Sequence, residues 1–246
     1  MIVASMKYKE MYDALEKDVS KLQIWIDKTM PKSIRFFEKQ LSFPQWYIEE
    51  YEHQDSHIKY VIFFYAGTRN EIKNPHYTSY GVVFFENHRY VVQGTFSDYQ
   101  HTPKCQFIRL PQINAYTSHF LKRYNERFLH KYTLSPNEIA GLFLIRNPFP
   151  MPIMLNEDVN KNYKEHGEHN DRGMRVPDGF CFTQTDIDVH VSEDGIHEHD
   201  KVDAILVLYT TFMNETEMSD TQKAAINKEH FETFMRCMKE QENRDC

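Results

Sequence analysis

Glycine is scarce in this chain, 8 residues in 246, and none of it falls into a GxGxxG, GxxxxGKS/T or GxSxG pattern. That sets aside dinucleotide binding, P-loop chemistry and the nucleophile elbow of the hydrolases. Cysteine is sparse too. Cys105, Cys181, Cys237 and Cys246 include no CxxC pair and read as reduced, cytosolic thiols. No apolar run approaches the about 18 residues of a membrane span. The opening MIVASMKYKEMYD turns charged too early for a signal peptide, so a cytoplasmic, membrane-free protein is expected. Positive charge is in deficit, 29 Lys and Arg against 36 Asp and Glu for a formal charge of −7. This argues against a general nucleic-acid coat and leaves room only for a local basic patch.

What is present is an ordinary globular composition, 41% hydrophobic and 26% charged, with a heavy aromatic share of 18 Phe and 15 Tyr. A chain of this mass can bury about three quarters of its surface without staples. The first segment is helical by spacing. Tyr8, Met11, Tyr12, Leu15, Val19, Leu22 and Ile26 recur at steps of three and four. Pro31 is expected to stop that helix and open a second over 32–41, giving an N-terminal helical hairpin. From 57 onward HIKYVIFFYA, YTSYGVVFFE and RYVVQGTF read as strands, the last two joined across Asn87-His88. Residues 113–131 read as a helix with Tyr116, Phe120, Tyr124 and Phe128 in one stripe. Ser135, Pro136 and Glu138 form a capping box that opens a helix over 136–146.

Residues 156–175 hold almost no apolar side chain and are expected to be a long loop. FCFTQTDIDVHV and KVDAILVLYTTFM are strands, with turns at Asp178-Gly179 and Asp194-Gly195. The last segment, from about 220 to 244, is an amphipathic helix with Ala224, Phe231, Phe234, Met235 and Met238 inward. The order predicts an α+β fold: a mostly antiparallel sheet with helices packed on one face. It divides into a helical hairpin over 1–45 and a core domain over 46–246.

Three constellations carry chemistry. His119, Arg123 and Arg127 follow one another at intervals of four in a segment with a net charge of +3 between 113 and 131. A neutral imidazole beside two guanidiniums suits cleavage of RNA through its own 2′-hydroxyl. Gln184, Asp186, Asp188 and His190 alternate on one face of a strand, and two carboxylates with an imidazole suit a divalent cation. His166, His169, His197 and His199 cluster in the acidic segment 156–203, but without an HExxH helix they read as solvated loop residues.

The Ser-His-x3-Arg-x3-Arg run over 118–127, the PDG strand over 177–184 and the late strand ending Tyr209-Thr210-Thr211-Phe212 come in an order that resembles the barnase, colicin and RelE-type ribonuclease toxins. The resemblance covers 113–213. It implies a helix against an antiparallel sheet and a metal-independent, cofactor-free endoribonuclease acting on RNA. In that reading His119 is the general base, Arg123 and Arg127 hold the scissile phosphate, and Thr211 is a positioning donor. The competing expectation is a non-catalytic module that grips a protein partner with its aromatic sheet and acidic loop. A metal-dependent enzyme built on Asp186, Asp188 and His190 is the third.

Overall fold

The computed structural model describes residues 5–99, 108–154, 172–190 and 201–242. Asp194-Gly195 and the histidines at 166, 169, 197 and 199 lie outside the described residues. Nine strands form one sheet: β1 (Gln45–Glu52), β2 (Lys59–Ala66), β3 (His76–Phe85), β4 (His88–Tyr99), β5 (Ile108–Thr117), β6 (Met151–Met154), β7 (Arg172–Val176), β8 (Gly179–His190) and β9 (Lys201–Met213). Their spatial order is β1-β2-β3-β4-β5-β9-β8-β7-β6. All described pairings are antiparallel except β5 with β9 at the centre. The α+β class is therefore as expected.

The helices do not share a face. α1 (Tyr8–Glu38) covers Tyr60, Ile62, Phe64, Ile113 and Ala115. α2 (Ser118–Tyr124) and α3 (Pro136–Arg146) cover Val61, Tyr116, Val207 and Tyr209 on the opposite side. Alternate residues of one strand feed the two clusters, which is why β2 reads as an unbroken apolar run. Gly141 lets α3 approach β2 closely, since a Cβ there would run into the Phe63 ring. α4 (Asp220–Glu242) returns to the α1 side, where Ile226 and Met218 meet Ile153, Phe180 and Phe182. Part of the face expected for it is corrected: Gln222 and Ile226 point inward, while Ala224, Phe231 and Met235 are exposed; the Phe234 and Met238 side chains lie outside the described residues. No described helix is long and apolar enough to cross a membrane.

Four further expectations change. The N-terminal hairpin is a single helix that runs through Pro31. The buried stripe Tyr12, Leu15, Leu22, Ile26, Ser33 and Phe37 is continuous across it. Pro31 and Asp27 lie on the exposed side, where water can satisfy the carbonyl that proline leaves without a partner. The β3–β4 turn is Glu86-Asn87, not Asn87-His88. Both residues have positive φ, 48° and 67°, as a two-residue turn matching strand twist requires. Pairing Phe85 with His88 keeps Val83, Phe85 and Tyr90 on the α1 side, and a slip by one would turn all three over. Residues 113–117 belong to β5 rather than to a helix, because Ile113 and Ala115 bury toward α1 while Asn114 and Tyr116 face the other way. Residues 172–175 are strand β7, not loop.

Candidate functional site

The basic stripe is drawn apart by its own backbone. Thr117 caps α2, its Oγ1 accepting from the Phe120 N–H at 3.0 Å. After Tyr124 the chain widens into a π-helical turn, Asn125–Leu129, closed by His130 N–H donating to the Asn125 carbonyl at 2.7 Å. That extra residue per turn moves Arg127 off the stripe of fours. His119 is exposed. Arg123 donates to Glu126 at 3.0 Å, and Lys122 lies 3.7 Å from the same carboxylate. Arg127 donates to the Phe212 carbonyl at 2.6 Å and pairs with Glu217 at 3.2 Å, so it ties the π turn to β9 and its exit. Thr211 is buried in β9 beside Phe212, and with Phe212 in the cluster under α2 its side chain takes the opposite face. A bulge at Thr210 sets that phase, since Thr183 pairs with Tyr209 and Phe182 with Thr211.

Asp186 and Asp188 hold the start of α1. The Tyr8 hydroxyl donates to Asp186 at 2.6 Å, and the Lys9 backbone N–H, one of the free donors of the first helical turn, donates to Asp188 at 2.9 Å. Burial and the Asp186 carboxylate push the Tyr8 phenol well above its ordinary value. The His190 side chain lies outside the described residues. Among the described residues no three His, Cys, Asp or Glu side chains are grouped to hold a metal.

Behind α2 sits a buried network. Asp178, in the β7–β8 turn, accepts both arms of the Arg146 guanidinium at 2.8 and 2.7 Å, the Tyr124 hydroxyl at 2.7 Å and the Asn147 amide at 3.1 Å. Arg146 also lies over the Phe128 ring, 4.9 Å from its centroid. The network locks the ends of α2 and α3 to the sheet, and through Asn147 it reaches the wall of the largest cavity described.

That cavity is a cleft of about 1170 Å³ on the α2/α3 side, where the strands run on past the helices. The strand residues facing it change character as they leave helical cover. Tyr80 gives way to Thr78 in β3, Val91 to Gln93 and Thr95 in β4, and Tyr116 to Asn114 and Gln112 in β5. The register sets Gln93 opposite Asn114 and Thr95 opposite Gln112, two polar rungs across the floor. Gln93 Nε2 donates to the Ser79 carbonyl at 2.9 Å, and Gln112 Nε2 donates to Asn114 Oδ1 at 2.7 Å. Each glutamine amide is thereby oriented and keeps its carbonyl oxygen for a ligand. Pro148, Phe149 and Pro150 form one wall, and Arg172 stands at the rim.

At the covered end the rings of Tyr116 and Tyr209 stack at 4.3 Å. Burial pushes both phenols, and the neighbouring Cys181 thiol, well above their ordinary values. All three groups are therefore protonated at neutral pH. Tyr209 is 1% exposed, and its hydroxyl lies beside that of Tyr116, just short of full hydrogen-bond geometry. Gln93, Gln112, Asn114, Tyr209 and Arg172 are absent from the sequence-based candidates. The signal that could have found them is the run Gln93, Thr95, Ser97, polar at every second position directly after the apolar Tyr90, Val91 and Val92. No protein-family model, curated protein or solved structure matches the chain.

Proposed function

We propose that the chain is a binding module that holds an extended segment of a protein partner in this cleft. The observation that carries the reading is the floor. Gln93 and Gln112 each keep a carbonyl oxygen to accept from a peptide backbone, and Gln112 keeps one amide hydrogen to donate to it, which suits an edge along which donors and acceptors alternate. The volume supports a chain segment, since small-molecule sites usually occupy about 300–1,000 Å³. Pro148, Phe149 and Pro150 add an apolar wall for side chains.

The ribonuclease reading asks the exposed His119 to act beside two arginines that have other partners, Glu126 for Arg123 and Phe212 with Glu217 for Arg127. The cleft therefore takes precedence. Arrays of synthetic octapeptides, with the strongest binders retitrated in solution, test it. Defined peptides should bind wild type and lose about tenfold or more of their affinity for the Gln93→Ala/Asn114→Ala variant. Peptides that bind both proteins alike would overturn the reading. Metal-free cleavage of a structured RNA, abolished by His119→Ala, would establish the ribonuclease in its place.

A further inference from the structure

The described residues leave part of the α1 face of the sheet uncovered. α1 crosses that face from β8, where Asp186 takes the Tyr8 hydroxyl, to β3, where Leu15 lies over Gly81. On β9 this leaves Leu206 and Leu208 half-buried at the centre of a nine-stranded sheet, while Val207 and Tyr209 on the opposite face are 3% and 1% exposed. The uncovered strip is a pocket of about 260 Å³ between α1 and the β3–β4 turn. Tyr8, Met11 and Leu15 form its helical wall. Its floor holds the row in which Val92 pairs with Ala115 and Ala115 with Leu208, so a single methyl group lies between two larger side chains. From this row the pocket reaches Glu86, five residues beyond the Gly81 that pairs with Val92, about 17 Å along an extended strand.

The row Val92, Ala115 and Leu208 offers no polar side chain to hold water. An apolar cavity of about 150 Å³ already stays dry and admits a benzene ring. Here the volume is larger and drawn out along the strands, a shape that suits one hydrocarbon chain better than a ring system. Charge at the mouth is of one sign. Glu86 is exposed and is the only charged residue among the described lining, with no Lys, Arg or His beside it.

We propose that this pocket binds a single-chain amphiphile with a cationic head, its alkyl chain running over Leu208 and Ala115 beside α1 and its ammonium group at Glu86. Burial of the hydrocarbon supplies the affinity, and the exposed ion pair contributes little of it but selects the head group. The site lies on the opposite face of the sheet from the peptide cleft and stands or falls apart from it.

Calorimetric titration of the full chain with alkylammonium ions from hexyl to dodecyl, below their micelle concentrations, tests the site against alcohols and carboxylates of matching length. Affinity should rise about threefold per methylene and level off once the chain fills the pocket. The ammonium should bind about fivefold or more tightly than the carboxylate of equal length, and Glu86→Gln should remove most of that preference. Ala115→Leu fills the floor and should weaken binding about tenfold or more. A readout on the wild type needs no variant to fold: saturating decylammonium should shift the methyl NMR signals of Val83, Leu206 and Leu208 and leave those of Val61 and Val207, on the other face, where they were. No binding below the micelle concentration, or binding that leaves the first three methyl signals unmoved, overturns the site. Shifts of those signals with equal affinity for ammonium and carboxylate overturn the cationic head.

Discussion

Tyr209→Phe tests whether the buried Tyr209 hydroxyl contributes to the fold. The ring is buried, stacked on Tyr116 at 4.3 Å and edge-on to Phe120 at 5.5 Å and Phe143 at 6.4 Å. Phenylalanine keeps each of these contacts. What it removes is one buried oxygen without a partner among the described residues, whose desolvation costs about 1–3 kcal/mol. The variant should therefore be as stable as wild type or more stable by about 1 kcal/mol. For a chain of this length that corresponds to about 2–4 °C in Tm. Urea unfolding is the assay, with a midpoint that stays or rises at unchanged slope. Tyr209→Ala gives the contrast, since it empties the ring's site and should cost about 3–5 kcal/mol. A loss of 1 kcal/mol or more in Tyr209→Phe would refute the reasoning. It would mean that the hydroxyl is already satisfied within the fold.

Three other outcomes follow from the same geometry. Asp178→Ala leaves Arg146, Tyr124 and Asn147 without their common acceptor and should cost about 3–5 kcal/mol in chemical denaturation. A cost below 1 kcal/mol would show that the network does not brace α2 and α3. Gly141→Ala drives a methyl group into the Phe63 ring and should destabilise by about 1–3 kcal/mol, although alanine is the better helix former. A gain in stability would place α3 farther from β2 than described. Glu138 is raised by burial, but the Trp46 indole and the Ser135 N–H outweigh this and hold its carboxyl below the ordinary value. Its contribution is present above the unfolded value near 4.5 and is lost as pH falls through the lower folded one. Melting curves between pH 6 and 3 should therefore lose less stability on acidification in Glu138→Gln than in wild type, and parallel curves would contradict the assignment.

Much of the fold is written in local patterns. The helix over 136–146 begins where Ser135, Pro136 and Glu138 say it should, with Ser135 Oγ accepting from the Glu138 N–H at 3.3 Å and Glu138 accepting from the Ser135 N–H at 2.7 Å. The β-branched and aromatic runs that became β2, β3, β8 and β9 are legible for the same reason, since period and composition agree. β5 is not. Tyr116 lies on the strand face that packs under α2, so it continues the stripe of Phe120, Tyr124 and Phe128 in space without being helical. Local spacing cannot tell those two origins apart. Pro31 misleads because the cost of a proline depends on whether its face meets water, which only packing decides. The cleft is harder still, because Gln93 and Asn114 become a pair only through the register of β4 against β5. The spacing of His119, Arg123 and Arg127 is plain in the sequence, but the π turn and the Phe212 carbonyl that claims Arg127 are tertiary facts.

The most direct test of the cleft watches its own side chains. The amide protons of Gln93, Gln112 and Asn114 give NMR signals that can be assigned one by one with single substitutions. Adding the best-binding octapeptide should shift these signals and leave the backbone signals of His119 and Lys122, on the exposed part of α2, where they were. Shifts confined to α2, with the three carboxamides unmoved, would contradict the central claim and return the basic stripe to first place.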